Sequence, residues 1–345
     1  MKRIHIQEKS KGLKRLTYSS LVAGVATIVA VAAMTTPALA AKYNIKIAVT
    51  TPPGYSYNVG LEQFKKDVED GSSGDISVTI FPSAQLGNEV ESGKNVQLGT
   101  LEMTVISASN LSPFYEKLQV LSVPYLFKSL SCAFKTVDGP VGAELEATLL
   151  KRSGIRVLSW YTFGMRQLFN SKRDVRSVAD LKGLKIRVPA SKMLEQTWRT
   201  LGAIPTPLPF PEVFNGLQQG VIDGDALPVA SIHLFKFYEP ARHVSMAKVA
   251  VGMAPMLISD KYLNKMPKAY QELIIKAGRE SAMANRTAEA DTTQKALTFL
   301  KANDVTIVEP DLDEFRAALG PVMDTARQTF GASLVDAIAA GQTGC

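Results

Sequence analysis

Apolar residues in this chain recur with two periods, and the order in which the periods alternate predicts the architecture. Ile45 to Thr50 reads as a strand, and Asp75 to Phe81 alternates through Ile76, Val78 and Ile80 before Pro82 closes it. Between them Leu61, Phe64 and Val68 fall at helical spacing, and Gly71 stops that helix. Strand, helix and strand in this order imply a right-handed parallel crossover, so the chain begins as an α/β domain. Thr51-Pro52-Pro53-Gly54 breaks the first strand into a loop that carries Tyr55 and Tyr57.

The same reading continues with a helix from Glu89 to Leu98, a short strand from Met103 to Ile106, and an irregular packed loop around Pro124. A helix from Gly142 to Arg152 leads to a strand, Ile155 to Trp160, that runs into Tyr161-Thr162-Phe163-Gly164-Met165-Arg166. Val213 to Gln218 reads as a short helix and Gly220 to Gly224 as a turn and strand. The two apolar stretches within Val244 to Ser259 read as strands crossing between lobes. From Pro267 to Lys301 no internal proline interrupts a helical run, and a helix of that length spans a whole domain and braces both lobes. A strand from Thr306 to Glu309 and helices around Phe315 and Leu334 finish the chain.

One strand carries the candidate chemistry. In Gly183-Leu184-Lys185-Ile186-Arg187-Val188-Pro189 the apolar residues alternate with Lys185 and Arg187, which places Arg187 at the mouth of a half-buried strand, facing away from its apolar neighbours. Beyond it lie a helical segment, Lys192 to Leu201, and a proline-rich run, Pro205 to Pro211, that would fold a wall over the strand end, where ligands bind in open α/β sheets. A guanidinium held there matches a carboxylate in two parallel charge-assisted bonds. A solvated arginine in a surface ion pair is the competing reading. Trp160, Tyr161 and Phe163 meet a second arginine, Arg166, just after another strand, and ordinary core packing accounts for at least one of the three rings.

Composition changes the picture at the N-terminus. Six Lys and Arg, an apolar run from Leu21 to Ala33 and the small-residue site Ala38-Leu39-Ala40 make residues 1–40 a secretory signal peptide. That stretch carries six Lys+Arg and one Glu, so +5 of the net +7 belongs to it and +2 remains on the mature chain. No basic stripe interleaved with aromatics points to nucleic acid. Cys132 in mid-chain and Cys345 at the last position are not expected to pair, because chain ends commonly fray.

Enzyme signatures are thin. Only His233 and His243 remain in the mature chain, too far apart for an HExxH zinc site, and no nucleophile elbow, phosphate-binding loop or dinucleotide fingerprint occurs. Asp223 and Asp225 do not continue into a calcium-loop series, so no metal, cofactor or catalytic residue is assigned. Catalysis by Asp, Glu or Tyr needs no local motif, and a periplasmic enzyme acting on a carboxylate stays open beside binding without turnover.

Several stretches in order along the mature chain resemble the solute-binding subunits of TRAP (tripartite ATP-independent periplasmic) transporters. They include Thr51-Pro52-Pro53-Gly54-Tyr55-Ser56-Tyr57-Asn58, Phe81 to Glu89, Val96 to Thr100, Pro124-Tyr125-Leu126-Phe127, Asp138 to Gly142, Gly164-Met165-Arg166-Gln167, Asp180 to Pro189 and Leu217 to Gly224. The resemblance implies an α/β, two-lobed periplasmic-binding-protein-like fold, each lobe a sheet flanked by helices, joined by crossing strands and one long bracing helix. The lobes would comprise residues 41–163 plus 253–292 and 164–252 plus 293–345. It implies that Arg187 is the principal carboxylate-binding arginine, Arg166 the second, and Phe210 the aromatic of the proline-flanked loop. Tyr55, Tyr57, Glu89 and Phe214 would line other walls. Leu227 stands where the family commonly has Asn, and Phe163 where several relatives are polar, so the expected ligand is a monocarboxylate with an aromatic or branched body rather than a polar sugar acid or a dicarboxylate. The implied partners are that small organic carboxylate and a membrane permease, with no nucleic acid, and the implied protein is a periplasmic monomer. A ligand-binding partner of a membrane sensor would share the whole fold.

Overall fold

The computed structural model describes residues 41–345 apart from residue 344, so the expected leader lies outside the described residues. In chain order the elements are β1 (Tyr43–Ala48), α1 (Ser56–Gly71), β2 (Ile76–Phe81), α2 (Glu89–Leu98), β3 (Met103–Val105), α3 (Leu130–Val137), α4 (Pro140–Ser153) and β4 (Ile155–Asn170). Then come β5 (Lys185–Val188), α5 (Lys192–Thr200), β6 (Ile204–Pro207), α6 (Val213–Gln218), β7 (Gly224–Leu227), α7 (Val229–Leu234) and β8 (His243–Ser259). The chain ends with α8 (Asp260–Leu263), α9 (Lys268–Lys301), β9 (Thr306–Val308), α10 (Leu312–Ala318), α11 (Gly320–Phe330) and α12 (Ala332–Ala340).

All nine strands share one mixed sheet in the order β2-β1-β3-β8-β4-β7-β5-β6, with β9 also paired to β8. β1 pairs in parallel with both β2 and β3, as the crossover argument requires. The long antiparallel ribbon of β4 and β8 joins the two lobes. At one end β8 pairs β3 through Met256–Ile258, and at the other it pairs β9 through His243–Ser245. β4 starts opposite the C-terminal end of β8 and finishes against β7, where Gln167 to Asn170 face Leu227 to Gly224. The register slips at three places along the ribbon, one of them between Thr162 and Gly164, and such bulges bend and twist a strand. The two strands expected within Val244 to Ser259 are therefore one continuous strand.

α9 braces the whole assembly. Its 34 residues span about 50 Å at 1.5 Å per residue. Ile274 and Ala277 pack into the core built on β1, β2 and α1, while Ala296 and Leu300 pack into the core around Phe169, Val244 and Phe237. Gly278 does not break the helix. A Cβ there would stand 2.8 Å from the Leu158 Cβ, so the missing side chain lets α9 lie close on β4.

Several sequence expectations are corrected. Part of the proline-rich run is a strand, β6, which pairs in parallel with β5 from the sheet edge, the position where prolines at 205 and 207 forfeit least. α3 and α7 were not anticipated. Cys132 and Cys345 form a disulfide, with Cα atoms 5.3 Å apart. α12 is docked on the core: Val335 and Ile338 are buried, and the Gln342 side chain accepts the Lys128 backbone N–H at 3.3 Å.

Candidate functional site

Arg187 lies in the interior of the sheet, since β5 is flanked by β6 and β7. It is 3% exposed, so the strand is covered on both faces rather than half-buried as the alternation suggested. Its Nε donates to the Leu208 carbonyl at 2.7 Å and its Nη1 to Asp225 Oδ2 at 3.2 Å. Asp225, on β7, is the partner that stabilises a buried cation there. Burial pushes its carboxyl up, while Arg187 and Arg166 pull it back down. The guanidinium sits 5.8 Å from the centre of the Phe210 ring.

Arg166 arrives from β4, just past the bulge at Gly164, and is 5% exposed. Its guanidinium lies 4.8 Å from the Phe163 ring centre and donates from Nη1 to the Ala226 carbonyl at 2.8 Å. Burial lowers its pKa, opposed first by Asp225. Its Nε is buried without a partner among the described residues. A guanidinium carries five N–H donors. Arg187 uses two and Arg166 one, so Nη2 of both and Nε of Arg166 have no protein acceptor among the described residues.

Those free donors belong to residues that line one cavity of about 420 Å³, counting the space at its mouth. Leu227, Phe163 and Phe210 supply its apolar side, and Tyr55, Tyr57 and Glu89 also line it. Tyr55 and Tyr57 meet edge to face at 5.4 Å, and the Tyr55 hydroxyl pairs with Ser231 Oγ at 2.8 Å. Glu89 is the first residue of α2, fixed by the Asn88 cap that accepts from Val90 and Glu91 N–H. Its Oε2 accepts from Asn110 Nδ2 at 2.6 Å and from the Ser107 N–H at 3.1 Å. Burial pushes the Glu89 carboxyl up, and these two bonds work against the shift. Its Oε1 makes no hydrogen bond among the described residues.

Eight of the nine residues expected to face a ligand thus line one cavity, namely Arg187, Arg166, Phe210, Leu227, Tyr57, Tyr55, Phe163 and Glu89. Phe214 does not. It lies part-buried on α6, packed with the apolar cluster of Val213 and Leu217, away from the cavity wall. Of the aromatic run, Phe163 faces the cavity, whereas Trp160 donates to Glu146 at 2.6 Å and Tyr161 to Ser281 at 2.8 Å inside the core. Asp225, Ser231, Asn110 and Ser107 were missed. Asp225 offered a signal in its carboxylate spacing from Asp223, but only the sheet order shows that it answers Arg187.

The chain is similar to known proteins over most of its length. The model of family 7 of the bacterial extracellular solute-binding proteins (DctP) matches residues 47–329. A solute-binding protein of Verminephrobacter eiseniae is 34% identical over 304 residues, 88% of this chain and 90% of that protein. The 2,3-diketo-L-gulonate-binding periplasmic protein of Escherichia coli is 30% identical over 310 residues, 89% of this chain and 92% of that protein. A TRAP periplasmic solute-binding protein from Polaromonas, bound to D-erythronate, superimposes with a TM-score of 0.84 at 32% identity, covering 86% of this chain and 98% of that one. A Bordetella homologue with density assigned as pantoate gives 0.83 at 31% identity, with coverage of 86% and 98%.

Proposed function

We propose, proceeding from the fact that this chain belongs to family 7 of the bacterial extracellular solute-binding proteins, the binding subunits of TRAP transporters, that it captures a small monocarboxylic acid in the cavity between Arg187 and Arg166. The observation that carries this reading is the pair of buried guanidiniums with unused N–H donors beside one cavity. A carboxylate fits those donors in charge-assisted, partly bidentate bonds. In a site with little water the attraction is far stronger than in bulk solvent.

The body of the ligand lies against Leu227, Phe163 and Phe210, which favours a branched or aromatic skeleton. Pantoate, assigned in the Bordetella relative, is a branched monocarboxylate, whereas D-erythronate, bound in the Polaromonas relative, is an unbranched sugar acid that shares the single carboxylate but not the apolar body. Glu89 opposes a second carboxylate on the ligand, and its Oε1 is an acceptor suited to a ligand hydroxyl. The relative from Sulfurospirillum deleyianum with bound succinate is the contrasting case. The lobes hinge where the β4–β8 ribbon and α9 pass between them, at 163/164, 252/253 and 292/293. Closure completes contacts absent from the open form, which is what lets a ligand shift the equilibrium. The closed protein then delivers its cargo to a permease in the membrane from the periplasm. Among the described residues no helix is long and apolar enough to cross a membrane itself.

Calorimetric titration of the secreted protein with pantoate, D-erythronate, succinate and D-glucuronate tests the ligand class. Pantoate, with its branched body, is expected to bind more tightly than the sugar acids D-erythronate and D-glucuronate and than succinate. Tight binding of succinate or glucuronate alone would refute it.

A further inference from the structure

Behind the cavity a carboxylate is buried with no cation to answer it. Glu289, on α9, is 2% exposed and forms no ion pair among the described residues. Its Oε2 accepts from Ser56 Oγ and its Oε1 from Thr293 Oγ1, each at 2.9 Å. Ser56 directly follows Tyr55, which lines the ligand cavity. Glu289 also touches the crossing ribbon. Gly164 has φ +99°, and a Cβ there would stand 2.4 Å from Glu289 Oε1. Its partner across the ribbon is Gly252, where a Cβ would fall 2.5 Å from the Phe163 ring. Two facing glycines beside a bulge make this the point of the ribbon with the freest backbone.

We propose that Glu289 is a positioning residue for ligand capture: it ties the bracing helix to the Tyr55–Ser56 corner of the cavity and to the glycine pair of the ribbon, and so sets the closed geometry. This rests on the cavity reading above. The charged and titratable groups around it are few. The start of α1 presents Tyr55 and Tyr57, both pushed up by burial. On β4 the nearest charge in sequence is Arg166, bonded to the Ala226 carbonyl, and on α7 the nearest titratable group is His233, whose ring lies tilted against Phe299 with centroids 4.1 Å apart and whose pKa is lowered by burial. On α9 itself Arg286 is committed to Asp138. With no ion pair among the described residues, burial pushes Glu289 up from 4.5 to about 7, against the pull of Thr293 and Ser56.

Gly164 and Thr293, which touch Glu289, lie across the hinge from it, so lobe opening hydrates the carboxyl, closure favours its protonated form, and capture weakens as pH rises. If opening returns the group to its ordinary value, linkage makes binding about tenfold weaker at pH 8 than at pH 6. The test is the Kd of pantoate and of D-erythronate at pH 6, 7 and 8 for the parent protein and for Glu289→Gln, which keeps the shape and removes the titration. The expected result is a tenfold weakening in the parent and a flat profile in the variant. A flat parent profile, or a slope that survives Glu289→Gln, would overturn the inference while leaving the arginine clamp intact. If neither acid binds at any pH the clamp reading fails, and ligand-free melting curves decide the role of Glu289. The parent should lose stability relative to Glu289→Gln between pH 5 and pH 8, and parallel curves would refute it.

Discussion

Replacing Arg187 by Ala removes two things at once, and the structure allows them to be separated. The side chain is 3% exposed and faces Asp225, which is 1% exposed, so the substitution strands a buried carboxylate as well as the Leu208 carbonyl. Breaking a buried pair from one side costs about 3–5 kcal/mol of stability. At about 2.1 cal/mol/K of unfolding entropy per residue, a chain of about 300 residues loses about 1.6 °C of Tm per kcal/mol, so a fall of about 5–8 °C is expected. The ligand carboxylate loses its principal partner as well, and an equal penalty on binding corresponds to about two to three and a half powers of ten in Kd. The double variant Arg187→Ala, Asp225→Asn recovers part of the Tm, because no carboxylate is left stranded where the guanidinium was, but none of the affinity. Arg187→Lys does not restore binding, since an ammonium cannot present two parallel donors to a carboxylate while holding Leu208 and Asp225. Melting by differential scanning calorimetry and titration calorimetry on the parent and these three variants provide both readings. A single variant that melts within 1 °C of the parent and binds within tenfold of it would refute the reasoning.

Other consequences are equally direct. The Cys132–Cys345 bridge closes a loop with a sequence separation of 213, for which the chain-entropy model gives about 5 kcal/mol and measured bridges usually about 2–4. Reduction, or Cys132→Ser with Cys345→Ser, should lower the Tm by about 3–6 °C, and an unchanged melt would contradict the pairing. Gly164→Ala should cost about 1–3 kcal/mol, because the backbone is left-handed there and the new methyl meets Glu289; equal stability by urea titration would show that the ribbon can shift. Leu227→Asn places an amide on the apolar side of the cavity and should shift preference from pantoate toward D-glucuronate, which competitive binding would reveal.

Much of this was legible in local pattern. The alternation around Arg187 gave a strand with a guanidinium at its end, and the run after Trp160 brought a second arginine beside aromatics, because both signals lie within a few consecutive residues. Non-local facts were not legible. Asp225 answers Arg187 only because β7 is inserted between β4 and β5, a matter of sheet order. The disulfide depends on how α12 docks, which no spacing of two cysteines encodes. Glu289 lies in an Ala-Glu-Ala stretch that reads as a solvated helix face, and it is buried because α1 and β4 cover that face. Phe214 differs in the opposite sense: the resemblance implies a wall residue, whereas its side chain packs against the Val213 and Leu217 cluster.

The central claim, that the two buried guanidiniums grip the acid group of the cargo, is tested most directly by a crystal structure of the protein grown with pantoate. The account predicts a carboxylate bonded to Arg187 and Arg166 together, with the branched carbon facing Leu227 and Phe163. A ligand bound in that cavity with its carboxylate turned away from both arginines would contradict it.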